Sequence, residues 1–413
     1  MQKLHTPRAS PPQLNRSMRI AIVNSHYYPD EPGGTERSLR FLVEAAVARG
    51  HTCTVFTTGD RRHRTQINGV HVERFNVGTP PAAHSDSSVP FLWHLRDAYS
   101  SGVAEEMSDA IVRFRPDVTH TNNLAGISVG LWARLKNRGI PIAHTLRDYY
   151  LMCPKRVQFR RGRPCGSSCS ACKVMGLPRL RATKNVNTVI GNSRFILEKH
   201  LRAGAFSGAH REVIYNAYRP PRIVSPRRKV PTDRPLVVGY IGRLQESKGV
   251  EDLIKSFREA LASSSREMML QIAGSGDSHY VTHLKNLASN LPVRFLGTVM
   301  PPQFYDAVDI TVVPSLWDEP LARVILESFA HGVPVLASIM GGSPELVVNG
   351  RTGWLFDPEE SSALQAVLTQ AIEESAETKY ERLSISCVTD SQRFLPDRVL
   401  DNYVAALQGS VGF

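Results

Sequence analysis

Two glutamates, Glu319 and Glu327, stand with seven residues between them in the run Trp317-Asp-Glu-Pro-Leu-Ala-Arg-Val-Ile-Leu-Glu-Ser-Phe-Ala-His-Gly332. Proline is favoured at the first position of a helix and glycine just past its end. The pattern therefore predicts a helix entered at Pro320, with Glu319 at its mouth and Glu327 two turns inside, among Val324, Ile325, Leu326 and Phe329. The unpaired N–H groups of such a start, those of Leu321, Ala322 and Arg323, are donors for phosphate or hydroxyl oxygens. Carboxylates that accept beside amides that donate suit a polyhydroxylated, anionic ligand. Two glutamates on a helix also make an ordinary solvated face, so the pair gains meaning from what accompanies it.

The segment Val237-Val-Gly-Tyr-Ile-Gly-Arg-Leu-Gln-Glu-Ser-Lys-Gly-Val250 reads as a strand, a glycine turn, two cations five apart and a helix. Gly242 lets backbone approach a ligand, Arg243 offers a planar fork and Lys248 a point charge, a combination that suits a diphosphate. Ile272-Ala-Gly-Ser-Gly276 ends another strand with Gly274 and Gly276, and Gly297 is followed by Thr298 and Val299. In the first half, Gly33 and Gly34 precede a helix within Asp30-Glu-Pro-Gly-Gly-Thr-Glu-Arg37, where a simple turn is the plainer reading. His120 and His144 end two strands and would face a cleft at the carboxyl edge of a sheet. Arg147 is a permanent cation, fit to hold an anion and unfit to act as a base at pH 7.

Cys153, Cys165, Cys169 and Cys172 are spaced Cys-x11-Cys-x3-Cys-x2-Cys amid Gly, Pro and Ser. Four thiolates so placed can close a tetrahedral structural zinc site; free thiols, disulfides and an iron–sulfur cluster are the alternatives. Such a metal would fold the loop and leave the reaction to other groups.

These groups need rigid elements to present them. Apolar runs at 19–24, 52–57, 70–75, 117–121, 141–145, 187–190 and 212–215 read as strands, alternating with helices at 35–49, 102–114, 126–136 and 193–201. A second series follows: strands at 236–241, 269–273, 293–296, 310–313, 334–337 and 353–356, with the glutamate helix among them and closing helices at about 359–374 and 390–407. Alternation of this kind predicts an α/β chain of two doubly wound, Rossmann-like domains. The expected division is a disordered tail over 1–17, a first domain over 18–216 with a cysteine-rich basic insertion at 153–184, a linker over 217–235, a second domain over 236–389 and a C-terminal helix over 390–413.

The blocks from 312 to 356 occur in a particular order: Pro-Ser, Glu-Pro, Glu, Gly-Val-Pro-Val-Leu-Ala-Ser, Gly-Gly-Ser-Pro-Glu-Leu-Val and Asn-Gly-Arg-Thr-Gly-Trp-Leu-Phe. In that order they resemble the retaining glycosyltransferases of family 4. The resemblance implies the GT-B architecture, two Rossmann-like domains facing across a cleft, and transfer of a hexose from a nucleotide diphosphate sugar to a hydroxyl of a glycan or lipid-linked glycan. It implies that Arg243 and Lys248 hold the phosphates, Glu327 the ribose hydroxyls and Glu319 the transferred sugar. Gly242, Gly274 and Gly276 would face the donor, with Leu321, Ala322 and Arg323 beside it. Thr298 and Val299 would read the base, Asn216 would end the first domain's last strand, and Gly33 and Gly34 would approach the diphosphate or the acceptor. The Asp148-Tyr-x-x-x-Cys-Pro segment also resembles some members. Two departures stand out: Leu321-Ala322 replaces Phe-Gly, and Arg147-Asp148 replaces His-Asp. No cofactor is implied for the chemistry. A phosphorylase or epimerase on the same architecture, or a non-catalytic module binding anionic membrane or RNA, are the competing readings.

Composition narrows these. The chain has 413 residues, 42% of them hydrophobic, enough for two cores. Neither an export signal nor a span of 18 apolar residues is present, so a cytoplasmic protein is expected. A net charge of +12 favours polyanions. Nine Lys/Arg and no Asp/Glu fall between Lys155 and Lys184, and Arg219, Arg222, Arg227, Arg228, Lys229 and Arg234 follow. The patch is an ordinary solvated face or a surface for anionic lipid on an inner membrane leaflet. No basic-aromatic module recurs, so nucleic acid is not expected.

Overall fold

The computed structural model describes residues 17–411 apart from 32, 78–96, 98–101, 167, 221, 223, 224, 228, 229, 231, 232, 376 and 377. The expected tail, save Ser17, lies outside the described residues, as do Arg228 and Lys229 of the basic linker cluster.

The first half carries β1 (Arg19–Val23), β2 (Thr52–Gly59), β3 (His63–Ile67), β4 (Val70–Asn76), β5 (Val118–Thr121), β6 (Ile142–Leu146), a small hairpin of β7 (Phe159–Arg160) and β8 (Arg163–Pro164), then β9 (Thr188–Gly191) and β10 (His210–Val213). Its sheet runs β10-β9-β6-β5-β1-β2-β4-β3, parallel throughout except for β3 against β4. Strands β5, β6 and β9 are buried at every position, which is why they read as continuous apolar or small-residue runs rather than alternating ones. β3, His-Arg-Thr-Gln-Ile, is a polar edge strand with no such signal.

The second half carries β11 (Leu236–Ile241), β12 (Met268–Ala273), β13 (Val293–Gly297), β14 (Ile310–Val313), β15 (Val335–Ser338) and β16 (Gly353–Phe356) in the all-parallel order β13-β12-β11-β14-β15-β16. Helix Val250–Ser263 covers one face, burying Val250, Leu253, Ile254, Phe257 and Ala260 at helical spacing. The molecule is thus two α/β domains, each with its own parallel sheet.

The chain's end differs from expectation. Instead of one helix over 390–407, helix Thr378–Ser391 packs on the second domain, where Ser384 Oγ donates to Gly332 O at 2.6 Å. A short turn follows, and Pro396, which cannot continue a helix but can open one, starts helix Pro396–Val411. That helix returns to the first domain. Its Val399, Leu400, Tyr403, Val404 and Leu407 pack with Ile20, Val55, Val118 and Ile190 of the first sheet.

Leu400 is 2% exposed in this cluster, so Leu400→Ala should lower stability by about 2–5 kcal/mol, read as a shift in the urea midpoint.

Candidate active site

In a doubly wound sheet, ligands bind beyond the carboxyl ends of the strands where the strand order reverses. In the second domain that point lies between β11 and β14. The loop leaving β11 carries Arg243 and Lys248; the loop leaving β14 carries Ser315 and Glu319. Leu316 N–H donates to Ser247 O at 2.9 Å, and Gly249, at φ +67°, lies so close to Pro314 that an added Cβ would sit 1.9 Å from its carbonyl oxygen. Only glycine allows both the left-handed backbone and that approach. The two loops are locked together, and Lys248 Nζ meets Glu319 Oε2 at 2.7 Å, with Ser315 Oγ donating to the same oxygen at 3.1 Å. Lys248 also stands 5.2 Å from the Trp317 ring.

The glutamate helix spans Arg323–Ala330 and starts three residues later than the Pro320 signal predicts. Residues 318–322 are drawn instead into contacts with the first domain: Tyr149 Oη donates to Asp318 O and Ser193 Oγ to Pro320 O. Glu319 therefore lies in the approach loop, and Leu321 and Ala322 are buried in an apolar cluster. Glu327 keeps its place inside the helix. Arg323 Nε donates to its Oε1 at 2.5 Å and Tyr305 Oη to its Oε2 at 3.0 Å. Burial, then Glu327, pushes the Tyr305 hydroxyl well above its usual pKa, so it stays a donor. Neither Tyr305 nor Ser315 was anticipated; Ser315 at least follows Pro314 in a noticed motif, whereas Tyr305 has no local signal.

The glycines at 274 and 276 answer to protein backbone: a Cβ there would lie 1.7 Å from Gly242 O and 1.9 Å from Leu244 O respectively. A Cβ on Gly242 would meet the Tyr240 hydroxyl at 2.9 Å. Thr298 is exposed and Val299 half-buried just beyond β13. From the first domain, Gly33 caps helix Gly34–Ala48, and Gly34 O accepts from Arg323 Nη1 at 3.1 Å, which brings this loop against the glutamate helix. Glu36, buried in that helix, exerts its charge on the partly buried guanidinium of Arg243.

His120 departs from the expected cleft-facing role. It is 2% exposed, its Nε2 lies 2.7 Å from Thr145 Oγ1, and its ring packs against Tyr403 of the last helix at 5.3 Å. Burial, then the charge of Arg147, pushes its pKa down to about 3. His144 is likewise buried, against Trp132 at 4.9 Å. Arg147 donates from Nε to Asn122 Oδ1 at 2.9 Å, from Nη1 to Asn216 Oδ1, and from Nη2 toward Tyr403 Oη at 3.4 Å. Asn216 is thus held by Arg147. Beside it a cavity of about 10 Å³, lined by Asn122, Arg147 and Asp148, has room for about one water near the unpartnered Asn122 Nδ2. A larger cavity, about 460 Å³, opens against β1, β2 and helix Gly102–Phe114, where Arg19, Thr52, His71 and Arg113 line it. Arg19, Thr52 and His71 lie at the amino ends of their strands, so it lies off the edge where these sheets take ligands.

The structure does not support the zinc expectation. Among the described residues no group of three or more His, Cys, Asp or Glu is placed to hold a metal ion, and Cys153, Cys165, Cys169 and Cys172 are free thiols. Cys153 is buried in the first domain's core while Cys169 is exposed at the start of helix Ser170–Ala182. Cys172 nevertheless links them: its thiol hydrogen-bonds to Cys153, a contact that lowers Cys153 and raises Cys172, and it also hydrogen-bonds to Cys169.

Residues 32–221 match the family described as Glycosyltransferase Family 4, and residues 224–385 that described as Glycosyl transferases group 1. The chain belongs to the family 4 glycosyltransferases of the GT-B fold. A Klebsiella pneumoniae protein described as an uncharacterized 42.6 kDa protein in cps region is 33% identical over 336 residues, 80% of this chain and 87% of its own length. Anabaena HepE, solved in complex with UDP and glucose, superposes with a TM-score of 0.69 at 21% identity, covering 95% of this chain and 99% of that one. Sucrose-phosphate synthase of Thermosynechococcus elongatus gives 0.72 at 20% identity, over 95% and 98%. These two structures share the fold.

His200 joins His120 as a buried imidazole, pushed down to about 4 by burial. Unfolded histidine titrates near pH 6.5, so between about 6.5 and these lower values the unfolded chain binds more protons, and stability falls as pH falls. The thermal midpoint should drop from pH 7 toward 4.5, and His120→Asn with His200→Asn should make that slope shallower.

Proposed function

We propose that this glycosyltransferase moves a hexose from a nucleotide diphosphate sugar to a hydroxyl of a glycan or lipid-linked glycan, with retention of anomeric configuration. The observation that carries the reading is the meeting of Lys248 and Glu319 at the strand-order reversal, with Arg243 on the same loop as Lys248. A diphosphate in that crevice meets two cations from one loop, and Glu319 and Glu327 offer acceptors to sugar and ribose hydroxyls. The HepE complex with UDP and glucose supports a donor of this class.

In the transition state the sugar gains oxocarbenium character and the departing phosphate gains negative charge. Arg243 and Lys248 stabilise that charge by fixed position, at no reorganisation cost during the step. The reaction runs on one face: the glycosidic bond to the diphosphate breaks as the acceptor oxygen bonds to the anomeric carbon, and the leaving phosphate oxygen takes the acceptor proton. We assign the backbone of Thr298 and Val299 to reading the base; Arg147, committed to Asn122, Asn216 and Tyr403, orders the polar cluster behind the cleft instead of meeting the acceptor. Arg243 and Lys248 serve in place of a divalent ion.

A lipid-linked acceptor and contact with an anionic membrane fit the insertion's surface. Lys155, Arg160, Arg161, Arg163, Lys173, Arg181 and Lys184 are exposed there, beside Val174 at 61% and Leu177 at 46% exposure. No described helix is long and apolar enough to cross a membrane. The relative in the Klebsiella cps region is in keeping with a role in cell-surface polysaccharide synthesis.

Nucleotide release from a panel of nucleotide sugars, with and without lipid-linked acceptors, tests the reading; a chain that neither binds nor consumes any of them refutes it. With the active donor, Lys248→Ala should lower kcat by about 10²–10³-fold. Glu327→Ala should abolish turnover, and excess EDTA should leave it unchanged.

A further inference from the structure

The first domain's helix Arg194–Arg202 points its amino end at the second domain. A helix start leaves four backbone N–H groups without intrahelical partners. Here Ser193 Oγ accepts that of Ile196 at 3.2 Å, and the carboxylate of Glu345 accepts the other two that matter: Arg194 N–H reaches Oε2 at 2.8 Å and Phe195 N–H reaches Oε1 at 2.7 Å. Tyr215 Oη adds a third donor to Oε2 at 3.2 Å. Both oxygens of one side chain are therefore spent on the other domain, at the end of a helix whose dipole favours negative charge.

The same two elements also grip the Glu319 loop. From the first domain, Ser193 Oγ donates to Pro320 O at 2.6 Å and Lys199 Nζ pairs with Asp318 Oδ2 at 2.6 Å. From the Glu345 side, Gly342 N–H donates to Glu319 O at 2.9 Å. Gly341, at φ +63°, lies close enough that a Cβ would fall 2.0 Å from Glu319 O, and one on Gly342 would fall 2.3 Å from Pro320 O and 3.0 Å from Ser193 Cβ. The loop bearing Glu319 is held between the helix start and the Gly341-Gly342 turn, and Glu345 joins those two jaws.

We propose that Glu345 is a positioning residue for sugar transfer: by receiving the amino end of helix Arg194–Arg202 it holds the two domains in register and keeps Glu319 where the reaction needs it. This rests on the functional reading above. Glu345 acts through the 318–320 backbone, so its loss should harm the step that needs both domains and spare nucleotide binding by the second domain's own loops. Misplacement of a reacting group by about 1 Å can cost about 10²-fold in rate.

The test compares the wild-type chain with Glu345→Ala, Glu345→Gln and the wedge Gly342→Ala. Titration with UDP, GDP and ADP should give affinities unchanged within about twofold in the Glu345 variants. Turnover of the donor that the wild type consumes should fall about 10- to 100-fold in Glu345→Ala, and less in Glu345→Gln, which keeps one acceptor oxygen. Small-angle scattering should show a larger radius of gyration for Glu345→Ala and Gly342→Ala. Wild-type turnover in Glu345→Ala, a loss of nucleotide affinity equal to the loss of rate, or unchanged scattering would each overturn the proposal. If Glu345→Ala does not fold, Glu345→Gln carries the same comparisons. A wild type that consumes no nucleotide sugar defeats the functional reading, while scattering still decides whether Glu345 holds the domains.

Discussion

The pairing of Lys248 with Glu319 constrains everything around it. Each group is mostly buried, 17% and 18% exposed, and each comes from a different loop at the strand-order reversal. Leaving either charge without a partner at that depth would be costly, because desolvation is only repaid by a close counter-charge and by hydrogen bonds to the remaining lone pairs. Ser315 supplies one such bond, and the contact of Gly249 with Pro314 keeps the loops at the required spacing. The Arg323–Glu327 pair, with Tyr305, repeats the arrangement one layer deeper. The acidic groups are thus fixed before any ligand arrives, and a ligand bearing both negative charge and hydroxyls offers each partner of the pair a replacement.

Much of this was legible in the sequence where burial is two-sided. β11 and β14 fall at their expected bounds, because a central parallel strand has apolar neighbours on both faces and turn residues at its ends; the edge strand β16 does so too, between glycine turns and Asp357-Pro358. That Arg243, Lys248, Glu319 and Glu327 all belong to the second domain followed from the same alternation, and Lys248 and Glu319 meet there. The parts that were not legible depend on distant partners. Pro320 marks a helix start by local preference, yet its carbonyl is claimed by Ser193, 127 positions away, and the helix waits until Arg323. His120 ends a strand at the right edge, but its ring is covered by Tyr403 from a helix that no local pattern sends back to the first domain. The cysteine spacing does bring the Cys153 and Cys169 thiols within hydrogen-bond reach of Cys172, yet among the described residues no group is placed to hold a metal ion.

Arg147 organises the polar interior of the first domain. A guanidinium keeps its charge even when buried, so it must be surrounded by acceptors; here they are the neutral oxygens of Asn122, Asn216 and Tyr403. Its charge in turn helps hold His120 neutral. One cation therefore ties the ends of β5 and β6, the start of the linker and the last helix into a single polar cluster.

That cluster bears on how the domains are joined. The chain crosses between them twice, once after Asn216 and again before helix Pro396–Val411, and both crossings lie beside Arg147 or its partner Tyr403. The second crossing is anchored, because the last helix is buried in the first domain's apolar cluster. The contacts at Asp318, Pro320 and Glu345 lie across the interface and are hydrogen bonds and an ion pair: Lys199, Asp318 and Glu345 are half-buried, while Ser193, Pro320 and Tyr149 are buried. The domains are therefore joined in two different ways, by an apolar anchor at the last helix and by polar contacts at the 318–320 loop, and Glu319 stands at the polar junction.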